Sequence, residues 1–163
     1  MEFAAPGSRP FARSPGELAV AAPIELLPLE DLRDERPELI AAATIAITPD
    51  RLARTVLPRL VSALAARANF STDRLADAQL VADVIAAQAF GAIIGSHLDV
   101  GIAVEPRRVE LLVGPLPAGR EHETTAGSVL GKLGVVVEKL IDDHSIAAVG
   151  SAAVLALQLI DRR

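Results

Sequence analysis

Between His97 and Val113 the chain alternates apolar with other residues twice in succession, and no other feature constrains its fold so strongly. Leu98, Val100, Ile102 and Val104 interleave with His97, Asp99, Gly101 and Ala103. After Glu105-Pro106-Arg107-Arg108, Val109, Leu111 and Val113 interleave with Arg108, Glu110 and Leu112. A period of two puts every second side chain on one side of a strand, so two such runs joined by a short Pro-containing turn predict an antiparallel hairpin with one buried face.

The flanking sequence supplies further strands and a covering layer. Ala43-Thr44-Ile45-Ala46-Ile47 reads as a strand that leads into a helix, with Thr48 as N-cap, Pro49 at the first helical position and Asp50 in the first turn. That helix is expected to reach about Ala68, with Leu52, Val56, Leu60 and Leu64 inward and Arg51, Arg54, Arg59 and Arg67 exposed; Pro58 should kink it. A second helix starts at Phe70-Ser71-Thr72-Asp73, capped by Ser71 or Thr72, and runs to about Phe90. It is apolar nearly all round from Leu80 to Ala89, the pattern of the most buried helix.

Pro115, Pro117 and Gly119 open a polar loop through Thr125, either a lid or a crossing loop. A third helix to about Asp142 carries Leu130, Leu133, Val137 and Leu140 on one side. Ile146 to Val149, a Gly150-Ser151 turn and Val154 to Ile160 predict a closing hairpin. The order β, α, α, β, β, α, β, β predicts an α+β two-layer sandwich, with a mixed, mainly antiparallel sheet and helices on one face.

Residues 1–38 hold six of the eleven prolines. Each proline removes a donor and restricts its predecessor, so the segment reads as a flexible tail preceding one domain over residues 39–163. Its middle, Ile24-Glu25-Leu26-Leu27-Pro28-Leu29, is apolar enough to dock, either on a partner or on its own domain.

Composition excludes several chemistries. With 163 residues and 51% hydrophobic content the chain can bury one ordinary core. There are four Phe and no Trp or Tyr, so that core is aliphatic and the surface suits neither base nor sugar stacking. A net charge of −5, with Arg107-Arg108 and Arg162-Arg163 as the only adjacent basic pairs, argues against nucleic acid. The absence of Cys removes disulfides, thiolate nucleophiles and most structural zinc sites. Met1 to Arg13 lacks the apolar run of a signal peptide and no stretch has the length of a membrane span, so a cytoplasmic location is expected. His97, His122 and His144 share no metal-ligand spacing, and Ser128 and Ser151 lack the Gly-x-Ser-x-Gly setting of hydrolases. Glu138, Asp142 and Asp143 read as a solvated acidic helix end.

Four phrases share a pattern with one family: Ile47-Thr48-Pro49-Asp50 before the first helix, Asp77-Ala78-Gln79-Leu80-Val81-Ala82-Asp83 in the second, Val109-Glu110-Leu111-Leu112-Val113-Gly114-Pro115 in the hairpin, and Gly131 to Asp142 in the third helix. With the element order, over about residues 41–163, they resemble the histidine-kinase-like ATPase domain (the Bergerat fold) in its small anti-sigma serine-kinase form. The resemblance implies a second helix bearing a Glu as general base and, four residues later, an Asn that holds the magnesium bridging the ATP phosphates. Those positions fall at Val84 and Gln88. Val84 cannot take a proton, and Gln88 keeps an amide oxygen one carbon further out. Asp83 is the nearest carboxylate, but one residue along a helix is a turn of about 100°.

The family's adenine-binding Asp is absent from Val113-Gly114-Pro115-Leu116-Pro117-Ala118-Gly119, where Gly114 and Gly119 match its glycines. Gly127, Gly131 and Gly134 match the phosphate-binding glycines at a helix start, with Lys132 beside them; their spacing fits close packing on a neighbouring element equally well. The resemblance thus implies Gln88, Gly114, Gly119, Gly127, Gly131 and Gly134 as remnants of an ATP and magnesium site, with no catalytic residue and no protein metal ligand. It implies a regulatory domain of the anti-sigma-factor type in bacterial transcriptional or signalling control, with a sigma factor or an anti-sigma antagonist as partner. Two alternatives stay open: an active ATP-dependent protein serine/threonine kinase using Gln88, Asp83 and the 127–134 segment, and a homo-oligomeric scaffold whose Ala-rich first two helices pair with a second copy.

Overall fold

The computed structural model describes residues 25–26, 34, 36–48, 53–88, 97–117, 135–149 and 152–163. The elements are β1 (Glu25–Leu26), β2 (Ala41–Ile47), α1 (Ala53–Arg67), α2 (Thr72–Gln88), β3 (Leu98–Glu105), β4 (Arg108–Pro117), α3 (Val135–Leu140), β5 (Asp143–Val149) and β6 (Ala152–Ile160). The strands form one six-stranded sheet in the order β1-β2-β3-β4-β6-β5, with every neighbouring pair antiparallel. Helices cover one face, which makes the fold the α+β two-layer sandwich that the patterning predicts.

Register explains the core. Ala43, Ile102, Leu111 and Leu157 stand in one row across four strands, and Ile45, Val100, Val113 and Leu155 stand in the next. All eight face the helices, where Leu57, Val61, Leu64 and Ala65 of α1 and Ala78, Val81, Ala82 and Ile85 of α2 close over them. Each fully buried Val, Leu or Ile contributes about 1.5–3 kcal/mol relative to exposure. Alanines at 65, 68, 78, 82 and 86 are all inward, letting both helices lie close to the sheet and to each other.

Several expectations are corrected. The inward stripe of α1 is Leu57, Val61, Leu64 and Ala65, continued by Ala68 just past its end, with Val56 and Leu60 only half-buried at its border. The four-residue row chosen from sequence drifts around the helix, and the adjacent row holds equally apolar residues. Arg54, Arg59 and Arg67 are exposed as expected, whereas Arg51, Leu52, Pro49 and Asp50 lie outside the described residues. Pro58 sits within α1 and is buried. In α2, Gln79, Leu80, Asp83 and Ala87 are exposed, so this helix has a solvent side and is not apolar all round. The hairpin is buried on more than one face: Ala103 and Leu112, which point away from the helices, are covered as well. Pro115 to Pro117 continue β4, so no loop opens at Pro115. β5 begins at Asp143, three residues before the apolar run that announced it.

Local signals set the joints. Asn69 takes a positive φ of 61° at the end of α1, where the amide of Phe70 reaches the carbonyl of Ala65 and that of Asn69 reaches Ala66. This is the Schellman pattern, and Asn is the residue after Gly that tolerates its left-handed position best. Pro106 and Arg107 form the two-residue turn between Glu105 and Arg108, with φ 58° at Arg107. Proline first and a positive φ second is the type II arrangement.

Of the segment read as a tail, Glu25 and Leu26 pair with Thr44 and Ala43, and Arg36 is buried against the sheet. Docking on its own domain therefore holds at these residues. Among the described residues no helix is long and apolar enough to cross a membrane.

Candidate functional site

The residues singled out by sequence begin on α2. Its inward side is Ala78, Val81, Ala82, Ile85 and Ala86, all buried, so Val84 at the border of that stripe is half-buried and packs against the aliphatic core. Asp83, one residue earlier, is exposed on the outer side. The other carboxylates of α2 are engaged elsewhere: Asp77 lies 3.0 Å from Arg74, and Asp73 lies 3.0 Å from Arg163. No acid of this helix thus faces the sheet. Gln88 is the last residue of α2, which places it at the helix C-terminal end.

Gly114 lies on β4 opposite Asp99, one residue beyond the inward Val113. Strand alternation turns it to the sheet face away from α2. A Cβ there would stand 3.1 Å from the carbonyl oxygen of Ala153 and 3.1 Å from Cγ2 of Val154. The glycine is explained by close strand packing, on the side of the sheet that Val84 does not reach. Gly119, Gly127, Gly131, Gly134 and Lys132 lie outside the described residues.

Three charged groups, two of them buried and one partly buried, were not legible as a cluster in the sequence. The first is Arg36, whose Nε donates to Glu105 Oε1 at 2.7 Å and whose Nη1 donates to Glu110 Oε2 at 2.5 Å. Burial alone would lower its pKa; the bonds and charges of the two carboxylates outweigh that and raise it. The second is Arg74, near the start of α2. It donates to the carbonyls of Leu140 at 2.7 Å and Ile160 at 3.1 Å, to Asp77, and through Nη2 to Asp142. Asp142 Oδ2 also accepts the Ile160 amide at 2.7 Å. Asp142 is therefore a partly buried link between α2, α3 and β6, which corrects the solvated reading at that residue, while Glu138 and Asp143 are exposed as expected.

The third is Asp161, directly after β6. It accepts the Ser71 amide at 2.6 Å, the Arg163 amide at 3.2 Å and the Arg107 guanidinium at 3.3 Å. The Ser71 amide is the main reason its carboxyl is held far below the usual range; desolvation works the other way, and the Arg163 amide, the Ser71 hydroxyl and Arg107 add to the lowering. The backbone joins in: Arg107 donates to Ala68 at 2.7 Å and accepts from Asp161 at 2.9 Å. That ring of bonds fixes the positive-φ residue of the turn.

These groups hold α2, the hairpin turn, α3 and the end of β6 together. Each buried charge has its counter-charge within the fold, and no buried side-chain nitrogen or oxygen among the described residues lacks a partner. No group of three His, Asp or Glu among the described residues is placed to hold a metal ion. His97 lies 4.0 Å from Asp99 on β3, while His144 is exposed on β5. Among the described residues, the buried charges of Arg36 and Asp161 are engaged in ion pairs within the fold.

No model of a known protein family matches this chain. No curated protein matches it in sequence.

Proposed function

We propose that the chain is a regulatory, protein-binding domain of the anti-sigma-factor type whose ATP site is degenerate, acting in bacterial transcriptional or signalling control on a sigma factor or an anti-sigma antagonist. One observation carries the reading: on α2, an aliphatic Val84 packs against the core where an ATP-using relative of this type would present its general base. The element order β, α, α, β, β, α, β, β, followed by all elements after β1, is the order on which the resemblance rests. A serine kinase would need Asp83 to serve in place of that base, and Asp83 is exposed on the outer side of the helix. That outward position favours the degenerate site over the kinase.

The test is calorimetric titration of the full chain with Mg-ATP, together with native co-purification and identification of what accompanies it. The expected result is no heat of binding up to millimolar nucleotide and a stoichiometric sigma-like or antagonist protein. Micromolar binding of Mg-ATP would reject the degenerate site. A chain that purifies with neither kind of partner would reject the regulatory role.

A further inference from the structure

On the side of the sheet away from the helices, Ala42 of β2 stands beside Ala103 of β3, and Thr44 stands beside Gly101 and then Leu112 of β4. No described helix covers these residues, yet Ala42 is 3% exposed, Ala103 1%, Thr44 9% and Leu112 8%, and Gly101 is buried too. Short side chains cannot hide one another from water, so burial this complete requires other atoms above them. The same face supplies a control. Ala46 further along β2, and Val154 and Ala156 on β6, are only half-buried. The dry patch is therefore local: it covers the middle of β2, β3 and β4 and stops at β6.

Arg36 accounts for one corner of it. Its guanidinium is held by Glu105 and by Glu110, the residue beside Ala103, one row short of Thr44, Gly101 and Leu112. The remaining cover comes from elsewhere in the chain.

We propose that residues 27–35, which run from β1 to Arg36, lie across this face, with Leu27, Leu29 and Leu32 seated on Ala42, Ala103 and Leu112. Four observations select this segment. It is tethered at both ends beside the patch, by Leu26 paired with Ala43 and by Arg36 bound to Glu105 and Glu110. Its departure from the β2 edge has a cause in Pro28, which has no amide to donate to a ladder. Its length suffices: nine residues at ~3.3 Å reach about 30 Å, whereas crossing from β2 to β4 and back takes about 20 Å. Its composition is divided, with three leucines to bury and Glu30, Asp31, Arg33, Asp34 and Glu35 to remain in water, and Asp34 is exposed.

The chain between β4 and α3 is placed less well to do this. It leaves from Pro117, paired with Ala152 on the β6 side, where Val154 and Ala156 are half-buried, and it returns to α3 on the helix side. The assignment removes the middle of the outer face from the surfaces open to a protein partner.

This inference does not rest on the regulatory reading, since it is tested without nucleotide or partner. In the unaltered full chain, methyl-to-methyl nuclear Overhauser effects are expected from Ala42 and Ala103 to Leu27, Leu29 or Leu32. Contacts of those alanines with residues 1–24 or 118–134 instead, with a differently labelled second copy, or with no further residue would overturn the proposal. The chain has no Cys, so a single introduced thiol reports on the same cover. Ala103→Cys should react slowly with a maleimide, and adding Leu29→Glu and Leu32→Glu should speed the reaction at least tenfold, with circular dichroism showing that the variants stay folded. Fast reaction of Ala103→Cys alone, or a rate unchanged by the two glutamates, would equally overturn it.

Discussion

The amide of Ser71 donates to the carboxylate of Asp161 at 2.6 Å, tying the first turn of α2 to the residue that follows the last strand. The two are 90 residues apart in the chain. Ser71 is the N-cap residue of α2, since its carbonyl accepts the Leu75 amide at 2.9 Å. The carboxylate therefore sits at the positive end of a helix, where a negative charge is favoured by the dipole and by the free amides. Asp161 also accepts from Arg107, so one side chain fixes the helix start, the hairpin turn and the end of β6.

This arrangement makes stability pH-dependent in a defined direction. Asp161 titrates lower in the folded chain than in the unfolded one, so the unfolded state binds more protons in acid. The stabilisation is fully present above the unfolded value of about 4 and is lost as pH falls from there through the folded value. Thermal unfolding of the wild type and of Asp161→Asn, followed between pH 7 and pH 2, should show a lower melting temperature for the variant at pH 7 and convergence of the two in acid. A gap that stays constant across that range would contradict the role given to the carboxylate.

Arg74→Ala should be among the most destabilising single changes outside the aliphatic core. It removes the buried counter-charge of Asp142, leaving it only the exposed Arg162 at 3.3 Å, and takes the Arg74 donor from the carbonyls of Leu140 and Ile160. Both charged side chains are 15% exposed. Breaking a buried pair from one side costs about 3–5 kcal/mol, and the residual exposure places this case near 3 kcal/mol. Asp142→Ala should cost less than the sum expected for independent sites when combined with Arg74→Ala. Urea midpoints of the two single variants and the double variant measure the coupling.

The sequence reveals the hairpin of β3 and β4 because its signal is local: a period of two on both strands and a two-residue turn at Pro106-Arg107. It locates the helices for the same reason, yet misjudges which row of α1 is buried, since Val56, Leu57, Leu60 and Val61 are all apolar and only packing chooses among them. β5 escapes at its start because an edge strand with exposed Asp143, His144 and Ser145 has no buried face to impose alternation. The polar links are less visible still. Arg36 meets Glu105 across 69 residues and Arg74 meets Asp142 across 68, and no spacing rule reaches so far. At the candidate site, the aliphatic character of Val84 was legible, whereas its packing at the border of the core and the outward turn of Gly114 follow from the fold alone.

Arg36→Ala should lower stability by about 3 kcal/mol, because it leaves Glu110 without the cation it pairs with through Arg36 and Glu105 with only the exposed Arg108, 3.6 Å away. Arg36→Lys should recover only part of this, since a single ammonium cannot reproduce the planar fork that serves Glu105 and Glu110 together. Chemical denaturation midpoints of the three proteins give the order wild type, lysine variant, alanine variant. Equal midpoints for wild type and Arg36→Ala would mean that the N-terminal segment adds nothing to the sheet it lies against.

Gly114→Ala separates a packing role from a ligand role at the one matched glycine that lies within the described strands. The added methyl would meet both the Ala153 carbonyl oxygen and Val154 Cγ2 at 3.1 Å, closer than ordinary contact, so β4 or β6 must yield by a few tenths of an ångström. Overpacking of this kind costs about 1–3 kcal/mol. Val154→Ala removes one of the two obstacles and should return part of the loss in the double variant, while the carbonyl keeps the rest. The change acts on the face of the sheet away from α2, so any response of the protein to Mg-ATP should be the same before and after substitution. Unfolding midpoints paired with nucleotide titration distinguish the two roles: altered titration at unchanged stability would assign Gly114 to a ligand, and lowered stability at unchanged titration assigns it to the contact between β4 and β6.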